Sequence, residues 1–361
     1  MDSVPYELLA KIFKIYVSLQ DPWPETKDPF PETLLNTCRW WRAVARAEST
    51  LWTRFVISRV QTVASVIESP TGYYHSTNYT LTRDWVRIFE KRLELAGPSL
   101  PLQISILHLN TAILPVIDVI SGQAPYYVHL PRWETLDFMT GELIRHNDPT
   151  SFGSIADLIS QPMPSLKCLT LQQNKIDFHA FPAAPHLEEL NNLYSRSPCI
   201  GRNNSFPILK RVKITYPSKY PLSLIDLSRF SLRTIETLII EGEVEVGSRM
   251  RGGYPSLSTL EFTKRVPSAI ISMSAPNLRH LILHHPDLFA IEYPPPQQAS
   301  YASNREVLEM LARAFPTLTV LDIHPNLISL IQDLVSHQVM FANLKELWTV
   351  SRSGRERVDL F

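Results

Sequence analysis

The chain is 361 residues long, enough for two ordinary domains or for a small module followed by a repeat array. Lys+Arg and Asp+Glu both total 35, so no net field draws in nucleic acid, an anionic membrane or an acidic substrate over long range. Glycine is scarce at 11 and proline abundant at 29, which argues against folds built on glycine-rich phosphate loops and for many short segments separated by breakers.

Cys38, Cys168 and Cys199 form a scattered, odd set without a C-x-x-C pair, as expected of a reducing compartment and of neither a disulfide framework nor a zinc knuckle. The opening MDSVPYELLAKIF breaks its apolar residues with Glu7 and Lys11, unlike a signal peptide. No apolar run approaches the roughly 18 residues of a membrane span. The expectation is a soluble chain, cytoplasmic or nuclear, in which the Asn-x-Ser/Thr sequences at Asn78 and Asn203 arise by chance.

In chain order, Pro5 suits the first turn of a helix. Leu8, Leu9, Ile12, Phe13, Tyr16 and Val17 then predict one continuous apolar face. DPWPETKDPFPE cannot continue that helix, because its prolines remove donors and clash with a preceding turn, so Asp21 to about Pro31 is expected to be a loop. A second helix is expected from Glu32 to about Glu48, with Leu34, Leu35, Cys38, Trp41, Val44 and Ala45 on one side and Arg39, Arg42 and Arg46 facing water. Leu51 and Trp52 close the segment. Some fifty residues of this kind are too few to be stable on their own core, so a further surface must cover them.

The strings VPYELLAKIF, LLNTCRWWRAVA and LW, in that order, resemble the F-box over Val4 to Trp52. The resemblance implies that these helices dock on the Skp adaptor of a cullin-based ubiquitin ligase. The matching adaptor-binding positions are Val4, Pro5, Leu8, Leu9, Ile12, Phe13, Leu35, Cys38, Arg39, Trp41, Arg42 and Trp52. Trp41 is the residue expected by type to carry a large share of the binding energy. Val4 stands where the family usually has leucine, and the loop between the helices is longer and richer in proline than is common. A helical cap on the following domain is the competing reading of this segment.

After a connecting stretch, a helix is expected from Thr82 to Ala96, stopped by Gly97-Pro98, and PLQISI alternates as a strand. The pattern Pro-x-Leu-x-x-Leu-x-Leu then recurs in nine copies, seven with the proline, from PRWETLDF at Pro131 through PSLKCLTL, PHLEELNN, PILKRVKI, RTIETLII, PSLSTLEF, PNLRHLIL and PTLTVLDI to ANLKELWT at Ala342. Its leading apolar residues are spaced by 33, 21, 22, 26, 22, 21, 40 and 26 residues, and six of these eight intervals fall in the leucine-rich-repeat range. Residues two apart on a strand share a face, so the second and third apolar positions point inward and stacked copies share one core. Asn174 and Asn326 stand three residues past the last apolar position, where leucine-rich repeats carry an asparagine at the turn out of the strand; most copies lack it, which resembles a degenerate array. Helical connectors are expected at SNREVLEMLARAF, with Ser303 and Glu306 at capping-box spacing, and at NLISLIQDLVSHQV. IEYPPPQQASYAS reads as a loop.

No nucleophile elbow, H-E-x-x-H or phosphate loop is present in the sequence. His280 and His284 have zinc-like spacing but fall on a predicted strand and its exit, so surface or turn histidines are expected there and at His285. Glu241, Glu243 and Glu245 read as a solvated face, or alternatively as an acidic patch for a basic partner. The tail carrying Arg352, Arg355 and Arg357 reads as a flexible basic end.

The fold class expected is α+β to α/β: an F-box-like helical module at 1–55, a helical connector at 56–100, and an irregular leucine-rich-repeat solenoid at 101–361, with a parallel sheet and helical or loop connectors. The function expected is that of a non-catalytic substrate-recognition subunit of a Skp-cullin-F-box ubiquitin ligase. It would hold the Skp adaptor, and through it a cullin, at one end and an unknown target protein at the other, with no cofactor, metal, nucleic acid or membrane. The alternative is a protein-interaction scaffold outside any ligase.

Overall fold

The computed structural model describes residues 4–19, 31–58, 62–68, 75–107, 111–122, 126–139, 158, 161–172, 183–192, 206–215, 233–241, 253–264, 266, 273–286, 304–336, 341–351 and 354–359. The fold is mixed α/β, and its sheet is mostly parallel. By contact the chain divides into two compact units, one of Met1–Thr170 with Pro182–Ala184 and one of Leu171–Phe181 with Pro185–Phe361. Among the described residues no helix is long and apolar enough to cross a membrane.

The first unit opens on helix α1 (Tyr6–Leu19), whose Leu9 N–H donates to the Pro5 carbonyl at 3.1 Å. The loop expected at Asp21 to about Pro31 falls almost wholly outside the described residues. The single helix expected from Glu32 to Glu48 is two helices, α2 (Glu32–Thr37) and α3 (Arg39–Ala47). Cys38 between them is extended, with φ −156° and ψ 172°, and its Sγ accepts the Trp41 N–H at 3.4 Å. Thr37 hydrogen-bonds back to the Thr33 carbonyl at 3.1 Å. Short polar side chains that bond to nearby backbone favour such breaks over an uninterrupted helix. A 3-10 turn (Ser49–Trp52) follows and buries Trp52, whose indole N–H donates to the Ala45 carbonyl at 2.7 Å.

Strand β1 (Arg54–Ile57) and an antiparallel hairpin of β2 (Thr62–Glu68) and β3 (His75–Leu81) occupy what the sequence presented only as a connecting stretch. Helix α4 (Trp85–Ala96) starts later than the expected Thr82, because the Asp84 carboxylate caps it by accepting the Arg87 N–H at 3.1 Å. Gly97 ends it at φ +71°. After β4 (Leu102–Ile106) comes α5 (Leu114–Ser121), a helix the sequence reading missed; Pro115 reads as a breaker yet sits in its first turn, where its lack of an N–H costs nothing. Strand β5 (Trp133–Met139) follows, and then β6 (Cys168–Gln172), which begins in this unit and passes into the second at Leu171. Strand β4 lies between β1 and β5, parallel to both.

The second unit holds β7 (Glu189–Asn192), β8 (Arg211–Thr215), β9 (Thr237–Glu241), β10 (Thr259–Phe262), β11 (His280–Leu283), β12 (Val320–Ile323), β13 (Glu346–Ser351) and β14 (Gly354–Val358). From β7 to β13 each strand pairs in parallel with the next in sequence. Strand β14 pairs antiparallel with β13, so the tail expected to be a flexible basic end is strand over residues 354–358. Its side chains give no apolar alternation, which is why the sequence hid it. Helices α6 (Asn304–Ala314) and α7 (Ile328–Ser336) fill two connectors, as expected; Ser303 lies outside the described residues.

Four proline-led copies of the second unit share one local plan. The proline sits second in a tight turn closed by the N–H of the leading apolar residue: Leu209 to the Phe206 carbonyl at 3.3 Å, Leu257 to Tyr254 at 3.2 Å, Leu278 to Ala275 at 3.1 Å and Leu318 to Phe315 at 3.2 Å. Proline's fixed φ suits that position. In these four copies the leading residue and the second apolar position (Val212, Leu260, Leu281, Leu321) are buried, as is the third (Ile214, Phe262, Leu283, Ile323). The residue before the proline adds a fourth buried position that the pattern did not include. In three of them the residue after the proline carries a further bond, from Ser256 Oγ to the Arg233 carbonyl (2.6 Å), Asn277 Nδ2 to Pro255 (2.6 Å) and Thr317 Oγ1 to Pro276 (3.0 Å), and Asn343 Nδ2, after Ala342 in the last copy, does the same to Pro316 (2.8 Å). These four turns are thereby tied by a side chain to the turn of the preceding copy.

Candidate functional site

The residues matched to the F-box pattern divide by exposure. Leu9 and Phe13 of α1, Leu35 of α2 and Trp52 are buried within the first unit. Val4, Pro5, Leu8, Ile12, Cys38, Arg39 and Arg42 are exposed, and Trp41 is half-buried with its ring edge-on to Phe13 at 5.1 Å. The single apolar face expected along α1 is therefore two faces. Leu9, Ala10 and Phe13 turn inward, while Leu8 and Ile12 are 54% and 53% exposed and are joined by Val4, Ile15 and Tyr16 on the outer side. Apolar residues at offsets 0, 1, 4 and 5 spread over a wide arc of helix, more than one neighbouring helix covers.

Polar contacts fix these helices. Lys14 Nζ lies 3.0 Å from Glu48 Oε2, linking α1 to the residue that ends α3. Burial works to raise the Glu48 pKa, but hydrogen bonds from Thr50 and Lys14 and the Lys14 charge outweigh it, holding the carboxyl below its ordinary value. Arg42 Nε donates to the Leu35 carbonyl at 2.6 Å across the break at Cys38. Arg92 of α4 is buried and grips both carboxylate oxygens of Glu32, with Nη2 to Oε2 at 2.6 Å.

In the second unit, side chains on one face of β11 to β14 form a charged cluster that the sequence did not single out. The Asp322 carboxylate on β12 is 3% exposed. It receives the fork of Arg355 from β14, Nε to Oδ2 at 2.7 Å and Nη2 to Oδ1 at 2.9 Å. Nε2 of His280 lies 3.0 Å from Oδ1, off the line of a hydrogen bond. The Arg355 guanidinium also stands 4.2 Å over the Trp348 ring, whose indole N–H donates to Glu346 at 3.0 Å. Burial works to raise the Asp322 pKa, and the contacts with His280 and Arg355 outweigh it and lower the value.

Of the histidines read as surface or turn residues, His280 stands against Asp322 and His284 against Glu261 at 2.9 Å, two separate contacts. Among the described residues no group of three metal-ligating side chains forms. Glu241 bonds Lys213 at 2.7 Å and Thr215 at 2.8 Å, while Glu243 and Glu245 lie outside the described residues, as do Asn174 and Arg352. Comparison with protein-family models, with curated proteins and with solved structures finds no match to this chain.

Proposed function

We propose that this chain is the substrate-recognition subunit of a Skp-cullin-F-box ubiquitin ligase, working in the cytoplasm or nucleus by binding rather than by catalysis. The N-terminal helices hold the Skp adaptor, and the strand units, read as degenerate leucine-rich repeats, hold a target protein. The transfer chemistry belongs to other subunits, and this chain raises the effective concentration of target lysines near them. The observation that carries the reading is the outer side of α1, where Leu8 and Ile12 stand exposed on a helix whose opposite side is packed, with Val4 exposed just before the helix.

The test is capture of purified Skp adaptor by the full chain. Each leucine or isoleucine buried on binding contributes about 1.5–3 kcal/mol, so Leu8→Asp with Ile12→Asp is expected to weaken capture at least ~100-fold. Both side chains are exposed, so thermal stability should stay unchanged. Absence of binding by the natural chain, or undiminished capture by the double variant, would overturn the reading.

One observation favours the alternative of a scaffold outside any ligase. The Arg92–Glu32 pair fastens α2 to α4, as a cap on the first unit requires. A scaffold predicts no adaptor capture with the fold intact, so the same experiment separates the two.

A further inference from the structure

We infer that the strand face of the second unit carries a recognition site for an arginine side chain, occupied in this conformation by the chain's own Arg355 and open to an arginine of the captured protein. This rests on the reading that the repeats hold a target, and it names the group they read.

The site has the parts a guanidinium requires. Asp322 presents both carboxylate oxygens to a planar fork, and Trp348 supplies an aromatic face at 4.2 Å. His280 Nε2 stands 3.0 Å from Oδ1, the oxygen that Arg355 Nη2 also reaches at 2.9 Å. In the register β12–β13–β14, Asp322 lies opposite Trp348 and Trp348 opposite Arg357, so the carboxylate and the ring share one sheet face. Lysine, a single point charge, cannot reproduce the two parallel bonds or the stacking.

The resident arginine is held on exchangeable terms. Strand β14 is an edge strand with no buried side chain. Besides its ladder to β13, it is held by the Arg355 fork and its stacking on Trp348, and by hydrogen bonds from Thr349 Oγ1 to the Glu356 carbonyl at 3.3 Å and Ser351 Oγ to the Gly354 carbonyl at 3.4 Å. Arg355 itself is 45% exposed, so its place is reachable from solvent, whereas Asp322 is not. A buried carboxylate deprived of its cation is costly, so departure of Arg355 leaves a site with a strong demand for another guanidinium.

The experiment is chemical replacement in the full-length chain. In Arg355→Ala, N-acetyl-arginine amide at millimolar concentration should shift the indole resonance of Trp348 in a saturable way, with N-acetyl-lysine amide at least ~10-fold weaker. Adding Asp322→Asn should abolish the shift. Because Arg355→Ala could lose its fold, the natural chain gives a second readout: saturating arginine amide, against lysine amide, should speed hydrogen exchange of the Gly354–Val358 amides as β14 is displaced. No saturable shift in a folded Arg355→Ala, equal response to lysine, or unchanged exchange in the natural chain would each overturn the inference. These outcomes involve neither adaptor nor target, so failure here is distinct from failure of the ligase reading.

Discussion

Replacing Arg92 by methionine tests how the N-terminal helices are held. The guanidinium is buried, bonds both oxygens of Glu32, reaches the Arg54 carbonyl with Nη1 at 3.3 Å and lies 5.3 Å over the Phe89 ring. Removing one partner of a buried pair costs about 3–5 kcal/mol, chiefly because the other charge is stranded. The Glu32 side chain keeps 19% exposure and regains some water, which sets the expectation at the low end, about 3 kcal/mol. Six of the seven tryptophans precede Thr170, so tryptophan fluorescence in urea reports the first unit. With a slope of about 2 kcal/mol per molar urea, the midpoint should fall by roughly 1.5 M. Arg92→Met with Glu32→Gln should recover at least half of that loss, since no bare carboxylate remains. A single-variant midpoint within ~0.3 M of the natural chain, or a double variant no better than the single, would refute the reasoning.

Gly122→Ala should destabilise the same unit by at least ~2 kcal/mol in the same assay, because Gly122 has φ +89° and a Cβ there would stand 2.5 Å from Val128 Cγ2 and 2.8 Å from the Val128 nitrogen. An unchanged midpoint would show that the 126–129 segment yields freely. For Asp322, the folded pKa lies below the ordinary 3.8, so its ionised form is favoured by folding. That stability is fully present above the ordinary value and is lost as pH falls through the folded one. The melting-temperature gap between the natural chain and Asp322→Asn, followed by circular dichroism, should therefore be constant from neutral pH down to about 5 and close below about 4. A gap that persists undiminished into strong acid would contradict the assignment.

The repeating strands were legible because a period-2 apolar pattern after proline leaves few alternatives; each copy from Pro131 to Ala342 has a strand at its second and third apolar positions. The fourth inward position was not, because Phe206, Tyr254, Ala275 and Phe315 share burial and nothing else. The division of α1 into an inner and an outer side was hidden for a related reason. Helical spacing says which residues share an arc, while only the neighbour's width says how much of the arc is covered. Cysteine in place of a serine or aspartate cap concealed the break at Cys38. The Asp322 cluster joins four strands, its other members at least 26 residues away in sequence, and its arginine came from a segment with no strand pattern of its own. Pairings of that kind depend on register, which the residues near each partner do not encode.

The side-chain bonds that tie four of the turns to the one before carry a consequence for how such a chain changes over time. Thr317 reaches the Pro276 carbonyl at 3.0 Å although the interval between their copies is the longest, 40 residues, and accommodates α6. Asn277 makes the equivalent bond to Pro255 across an interval of only 21. The frame is thus set where copies meet and is indifferent to the length of chain looped out between them. Connectors can be lengthened, shortened or exchanged while the strand face keeps its spacing, leaving the loops free to diverge in what they display without refashioning the surface that carries them.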